Sequence, residues 1–442
     1  MVACLLLAAK AEAAPAFMPR AQDGDGIKVG KRSRFHPGFG IGVGMDSNVF
    51  YEDKSEGPAV AAYMVASGWA SIGNRGVQGG VLDSPADRTD RKIDYSIGLI
   101  LGFRQFLDRR SEILKQSRFS LGADVHLIVL PGRKFSLQID DTFYRLAEPR
   151  DIQARETLNF NRLTNDGRLG LVVRPGGGRV ALTAGYLNQL LYFENKDSQV
   201  NRSNRVGNGA LAEIKWRFFP TSAVYARYSM LYTYYFSCCV DPGTGRNEDN
   251  YAHRIEGGYR GQLGKRVVLG AMFGWGLAYY RQDPNGPNFS GPIAHLYLDV
   301  FPTMRTRVHV SGERTFRDAL FGNFFVDYVA RLLVSHQFKW RMIASLGTGV
   351  IFREYRGIPE PGVEDVNVAS YDGAARGGTA RRDILFNLTA RLEQPLGRFF
   401  ALRLDYTATV DSTPFAVNFV DGSRNDAGFI RHLLLLFGAV RY

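Results

Sequence analysis

From Phe35 onward, apolar residues recur at every second position, the period of a strand whose two faces meet different surroundings. Over residues 92–106, Ile93, Tyr95, Ile97, Leu99, Leu101 and Phe103 share one face. Asp94, Ser96, Gly98, Gly102 and Arg104 share the other. The pattern returns over 266–281, where Val267, Leu269, Ala271, Phe273, Trp275, Leu277 and Tyr279 oppose Gly270, Gly274 and Gly276. It returns again over 324–338, with Val326, Tyr328, Ala330, Leu332 and Val334 opposite Asp327, Arg331 and Gln337. Such runs reach about 13 to 15 residues where a globular strand has about 5 or 6, so they predict a membrane barrel rather than a sandwich.

The connections alternate in length. Short turns rich in Pro, Gly and basic residues fall at 131–134, 175–178, 219–222, 264–266, 302–304, 339–340 and 395–398. Longer polar loops fall between them, at 195–205, 238–250, 283–292, 355–381 and 411–427. Short turns on the periplasmic side and long loops outside are the pattern of an outer-membrane barrel. The stretch 73–91 breaks it, being long on the short-turn side. Counting back from the C-terminus gives roughly 18 strands, or 16 if the N-terminal pair is miscounted, an even number as single-chain barrels require. The fold expected is therefore all-β, a transmembrane antiparallel up-and-down barrel, closed because no backbone group may stay unpaired in hydrocarbon. A barrel of this size encloses a lumen unless it is plugged.

Ahead of the strands, Val2 to Ala9 is apolar and the small residues AEAAPA follow, which predicts a signal peptide over 1–16. Residues 17–38 are expected to form a periplasmic N-terminal segment and 39–442 the barrel. The final run, IRHLLLLFGAVRY, puts His432, Leu434, Leu436, Val440 and Tyr442 in one phase. An aromatic at the last position resembles the signal read by barrel-assembly machinery.

The opposite phase of the strands is polar, which supports a wet lumen. It carries Asp124, His126, Glu213, Lys215, Arg217, Arg227, Arg254, Glu256, Arg260, Asp299, Arg307, His309, Glu313, Asp327, Arg331, Arg391, Glu393, Arg403 and Asp405. One reading pairs these charges across neighbouring strands, bracing the wall. The other takes Arg227, Arg254, Arg260, Arg307, Asp327, Arg331, Arg391, Arg403 and Asp405 as a transport path, its arginines able to make planar bidentate hydrogen bonds to a hydroxyl-rich or acidic solute. Tyr225, Tyr235, Tyr280 and Tyr297 share the inward phase and could stack on sugars. Trp216, Phe218, Tyr232, Tyr234, Phe236 and Tyr279 take the outward phase near strand ends, as an aromatic belt at headgroup level does.

Composition narrows the function. The 442 residues are 45% hydrophobic, with a formal net charge of +12, 3 cysteines and 7 histidines. The positive charge is scattered, with no basic stripe or RNA-binding motif, so nucleic acid is not an expected partner. Lipopolysaccharide and membrane lipid are. The string Gly38, Gly40, Gly42, Gly44 repeats at strand spacing with no helix after it, so it is a small-residue face and not a phosphate cradle. The histidines are dispersed, with no HExxH motif. The adjacent Cys238 and Cys239 lie in a loop and suit a staple or idle thiols better than redox chemistry. No enzyme activity, cofactor or metal is expected.

Three stretches carry a family resemblance: DSNVFY from Asp46, LPGRKFSLQIDDTFYRLAEPRD from Leu130 and WRFFPTSAVYARYSM from Trp216. They resemble segments of the putative β-barrel porin group of bacterial outer-membrane proteins, including polysaccharide-secretion barrels of myxobacteria. The resemblance implies passive export of an exopolysaccharide or other surface polysaccharide, delivered by a separate periplasmic export or co-polymerase partner. Two alternatives stand beside it. One is a general or substrate-selective diffusion porin for small solutes, in which an inward-folded loop narrows the lumen and 355–381 is the longest candidate. The other is an outer-membrane barrel enzyme acting on lipid.

Overall fold

The computed structural model describes residues 18–30, 32–53, 57–74, 92–146, 161–194, 203–236, 249–281, 287–320, 322–358, 368–374 and 380–442. The expected signal peptide and Cys238 and Cys239 lie outside these residues, as do large parts of the long loops. Eighteen long strands build the wall. They are β1 (Ser33–Asp46), β2 (Ala61–Gly73), β3 (Ile93–Leu107), β4 (Arg118–Val129), β5 (Phe135–Leu146), β6 (Arg162–Val173), β7 (Val180–Phe193), β8 (Arg205–Phe219) and β9 (Ser222–Tyr235). The second half comprises β10 (Asn250–Leu263), β11 (Val267–Tyr280), β12 (Phe289–Thr303), β13 (Thr306–Asp318), β14 (Phe324–Gln337), β15 (Ile343–Arg356), β16 (Ala380–Leu396), β17 (Phe400–Ser412) and β18 (Phe429–Arg441).

Every strand is hydrogen-bonded antiparallel to its sequence neighbours, and the sheet has no free edge. The seam joins β18 to β1, with Gly38 opposite Arg441 and Asp46 opposite Leu433. Beyond the seam the backbone of Tyr442 donates to the carbonyl of Pro37, 3.0 Å away. Closure satisfies the ladder all round, which is what the hydrocarbon demands of a spanning sheet. The chain is thus an outer-membrane β-barrel of the type the alternation predicts.

The outward phase is apolar over nearly the whole circumference. Phe39, Ile41, Val43 and Met45 on β1 are exposed, as are Ile97, Leu99, Leu101 and Phe103 on β3 and Phe273 and Trp275 on β11. On a barrel that exposure is contact with lipid tails. Trp216, Phe218, Phe219, Trp340, Phe400 and Tyr442 lie outward near the short-turn rim. Tyr192, Tyr234, Phe236 and Tyr279 lie outward near the other rim, completing two aromatic belts.

Inside the wall, glycines and aromatics fit together across strands. A Cβ on Gly38 would lie 2.1 Å from the Trp69 ring, one on Gly40 2.2 Å from Phe437, and one on Gly44 2.4 Å from Tyr63. The glycine string of β1 is therefore the floor under three rings from β2 and β18. Those rings belong to a buried cluster with Val65, Phe106, Leu435 and Ala439 that packs the inner wall beside the seam.

Candidate functional site

The lumen is the candidate site, and it has three levels. At the short-turn rim, residues 18–26 enter the barrel before the first strand begins. Met18 and Ala21 are buried. The backbone N–H of Gln22 donates to Glu393 on β16 at 2.9 Å, and Arg441 donates to the Gln22 carbonyl. Arg403 on β17 donates to the carbonyl of Arg20 at 2.6 Å. The Arg20 side chain in turn reaches Asp23 at 2.7 Å and Ser71 on β2 at 3.1 Å. Gln22 also borders a cavity with Arg307 and Ser335 near the same ends of β13 and β14. The segment is a strap tied to the inner wall from β2 through β18 to β16.

Most of the residues selected from the sequence lie on the wall between the strap and the outer level, with Arg307 and Arg403 beside the strap itself. Arg227 on β9 lies between two carboxylates on the flanking strands, 2.6 Å from Glu213 and 3.6 Å from Glu256. Arg307 is 2.7 Å from Asp299, which also takes a hydrogen bond of 3.0 Å from His309. Arg391 and Arg403 share Asp405, at 2.7 and 2.5 Å. On β4 and β5, His126 is paired with Asp140. Cross-strand bracing therefore accounts for many of these charges, as the first of the two sequence readings has it.

A second set of cations makes no direct ion pair, although Arg168 and Lys215 both lie in the field of Glu213. Arg168 on β6, Lys215 on β8, Arg260 on β10 and Arg331 on β14 make no ion pair with a carboxylate among the described residues, and Nε and Nη2 of Arg260 have no hydrogen-bond partner. Arg260 and Arg331 lie on one row of the sheet, linked in register through Gly270, Tyr297 and Ser311. Tyr225 and Tyr297 do face inward. Their rings lie flat against the wall, over Gly258 and Gly270, where a Cβ would come within 2.5 and 2.0 Å of them.

The outer level is packed. The pairing of β12 with β13 stops at Ala294 opposite Arg314, and the β13–β14 hairpin beyond it, at 315–320 and 322–324, packs over the lumen side of the neighbouring strands, with the Phe316 ring above Gly276. Phe316 stacks on Phe289 with ring centroids 4.1 Å apart, and Phe324 on Tyr280 at 5.8 Å. Asp318 accepts hydrogen bonds from Tyr280 at 3.2 Å and Asn250 at 3.3 Å. Arg254 lies beneath the tip and donates to the Phe316 carbonyl at 2.9 Å. Tyr235 and Tyr280 are buried here, so they pack the tip and offer no stacking face to a solute. On the other flank of the tip, Ala319 joins Phe325, Tyr355, Ile358 and Phe415 in an apolar cluster. It is covered by a small sheet of Val368–Asp372, Ala416–Phe419 and Arg424–Asp426.

Two arginines that the sequence reading passed over bind this level together. Arg353 holds Asp327 through two hydrogen bonds, of 2.7 and 3.0 Å. Arg381, buried, holds Asp383 at 2.8 Å between the rings of Tyr355 and Phe415, each 5.2 Å from its guanidinium carbon. Asp327 is accordingly part of the wall and not of an open path. Their inward parity was readable; their partners, set by the fold of the outer loops, were not. No group of three or more His, Cys, Asp or Glu placed to hold a metal occurs among the described residues.

Comparison with known proteins gives no matching family model and no matching curated protein. Solved structures do align along the whole barrel. The outer membrane protein OpdK of Pseudomonas aeruginosa is 11% identical, with 92% of this chain and 99% of that one covered at a TM-score of 0.45. OccAB4 of Acinetobacter baumannii is 10% identical, with 93% and 99% covered at 0.45. OccK11 (OpdR) of P. aeruginosa is 12% identical, with 96% and 100% covered at 0.42. At this level the likeness is one of barrel architecture. The structures found are OpdK-type and Occ-type barrels rather than polysaccharide-secretion barrels, so two sequence expectations are corrected: the resemblance to the polysaccharide-secreting group, and with it the role as a polysaccharide conduit served by a periplasmic export partner. The physical reason is visible in the lumen, which a hairpin tip crowds at one mouth and a strap lines along the inner wall at the other.

Proposed function

We propose that this barrel is a substrate-selective diffusion channel for small anionic solutes. The observation that carries the reading is the set Arg168, Lys215, Arg260 and Arg331, which faces the lumen between the strap and the hairpin tip with no carboxylate in ion-pair distance of any of the four. A guanidinium with no carboxylate in direct contact can hold one in transit, and its planar fork suits carboxylate or phosphate. Neighbouring arginines already committed to Glu213, Glu256 and Asp299 contribute no such site. Water-filled barrels tune selectivity through lumen side chains of this kind. Passage is downhill and needs no energy source in the chain.

The test is the reversal potential of the purified channel in planar bilayers under a salt gradient. Anion preference is expected, and the double variant Lys215→Ala, Arg260→Ala should move it toward neutrality without loss of heat-modifiable gel mobility. A wild-type channel that prefers cations would overturn the reading.

A further inference from the structure

The outer mouth holds a row of buried charges that does not balance. Asp327 on β14, Arg353 on β15 and Asp383 on β16 stand side by side in register. Arg381, two residues beyond Asp383, and Asp411 near the outer end of β17 complete the row. That makes three carboxylates against two guanidiniums, with none of the five residues more than 7% exposed. Arg353 is committed to Asp327, and Nε of Arg381 to Asp383. Asp411 is left over. Neither of its oxygens has a hydrogen-bond donor among the described residues, Oδ2 of Asp383 has none either, and Nη2 of Arg381 stands 3.9 Å from Asp411.

Neighbouring cations are engaged elsewhere. The charges that act on Asp411 are those of Asp383, Arg381 and Arg353. On the flanking β18, Arg431 holds Asp46 through hydrogen bonds of 2.9 and 2.5 Å, and in the small sheet Arg424 pairs with Asp372 and Asp426. A buried carboxylate without a donor is far costlier than one in water, and a proton removes that cost. The same guanidinium also seats the small sheet that covers the mouth. Arg381 lies against the ring of Phe415, which meets Tyr371 at 5.3 Å and belongs to the apolar cluster beneath that sheet. Phe415 follows Asp411 after only three residues, and the Thr413 hydroxyl between them donates to the Arg382 carbonyl at 3.0 Å. Water can reach an ionised Asp411 only if this segment lifts.

We propose that Asp411 and Asp383 form a proton-operated catch on the outer mouth. One proton held between them balances the row, and Phe415 and the small sheet stay seated on their apolar cluster. Loss of that proton leaves three anions against two cations, the pair draws in water, and the segment 413–419 lifts from the mouth. The closed form binds one proton more than the open form, so it is favoured as the pH falls and lost as the pH rises. The inference rests on the wall and the covering sheet alone and stands whichever solute the lumen passes.

The test is single-channel conductance of the full chain in planar bilayers from about pH 5 to about pH 9, a span that covers ordinary and strongly raised carboxylates. The wild type should conduct at least twofold more at the alkaline end. Asp411→Asn and Asp383→Asn each remove one carboxylate and so balance the row without a proton. Either variant, once its heat-modifiable gel mobility is confirmed, should hold the low conductance across the whole range. A wild-type conductance that is flat or falls with rising pH would overturn the proposal. So would a rise that persists unchanged in both variants, which would assign the response to histidines of the lumen such as His126 and His309.

Discussion

Arg353 on β15 grips Asp327 on β14 with two hydrogen bonds, and its guanidinium carbon lies 4.0 Å from the centre of the Phe325 ring. Both partners are buried and stand opposite one another in register, so this is a strut between adjacent wall strands beneath the hairpin tip rather than a surface pair. Removing one member leaves the other charge buried without its counterpart. Arg353→Ala is expected to lower barrel stability by about 3–5 kcal/mol, the usual cost of breaking a buried pair. Guanidinium titration of the refolded protein in detergent measures it, and a change under 1 kcal/mol would place the strut in water.

The strap at the short-turn rim should act on conductance. Glu393 receives Gln22 N–H at 2.9 Å and lies 3.3 Å from Arg441, so Glu393→Gln weakens the anchor at its centre. Deleting residues 18–26 is expected to raise single-channel conductance at least twofold, with Glu393→Gln showing intermediate openings. Unchanged conductance after the deletion would mean that ions already pass the strap freely.

Gly270 gives a way to narrow the lumen from its wall. The Tyr297 ring occupies the space where a side chain would go, 2.0 Å from the position of a Cβ. Gly270→Leu must turn that ring toward the Arg260 and Arg331 row. Conductance is expected to fall, with the largest effect on bulky anions, as measured by current block in planar bilayers.

The lipid face predicts a plain cost. Leu99 lies outward near the middle of β3 and is exposed there. Leu99→Arg should destabilise the barrel by about 2–4 kcal/mol in lipid vesicles, the range for a cation near the bilayer midplane. The equivalent change at the strand end, Leu107→Arg, is expected to cost about 0–1 kcal/mol because the interface is wet there.

The strands and their outward faces were legible because lipid contact writes a two-residue period into each strand, whatever its neighbours. The packing of the lumen was not. Phe316 and Val326 carry the outward parity of β13 and β14, yet both are buried, because the hairpin tip parts from β12 after Arg314 and turns that face onto Phe289 and Tyr280. Loop length pointed to 355–381 as the element narrowing the lumen. Residues 359–367 and 375–379 of that loop lie outside the described residues; among the described ones, Phe316 and Phe324 of the β13–β14 hairpin pack over the lumen side, with Ile358 and 368–372 in the neighbouring cluster. The glycines at 38, 40 and 44 posed the same difficulty: the rings above them come from β2 and β18, and nothing in the local sequence names those partners.

The seam between β1 and β18 has a consequence for biogenesis. Residues 38–46 find their second hydrogen-bonding partner only in residues 433–441, near the other end of the polypeptide. Until that late segment arrives, β1 exposes one side of its backbone to any chain that could add a strand, in the periplasm as well as at the membrane. Ring closure must therefore wait for residues 433–441, with the bare strand shielded meanwhile, and it is the step that ends the hazard of intermolecular pairing.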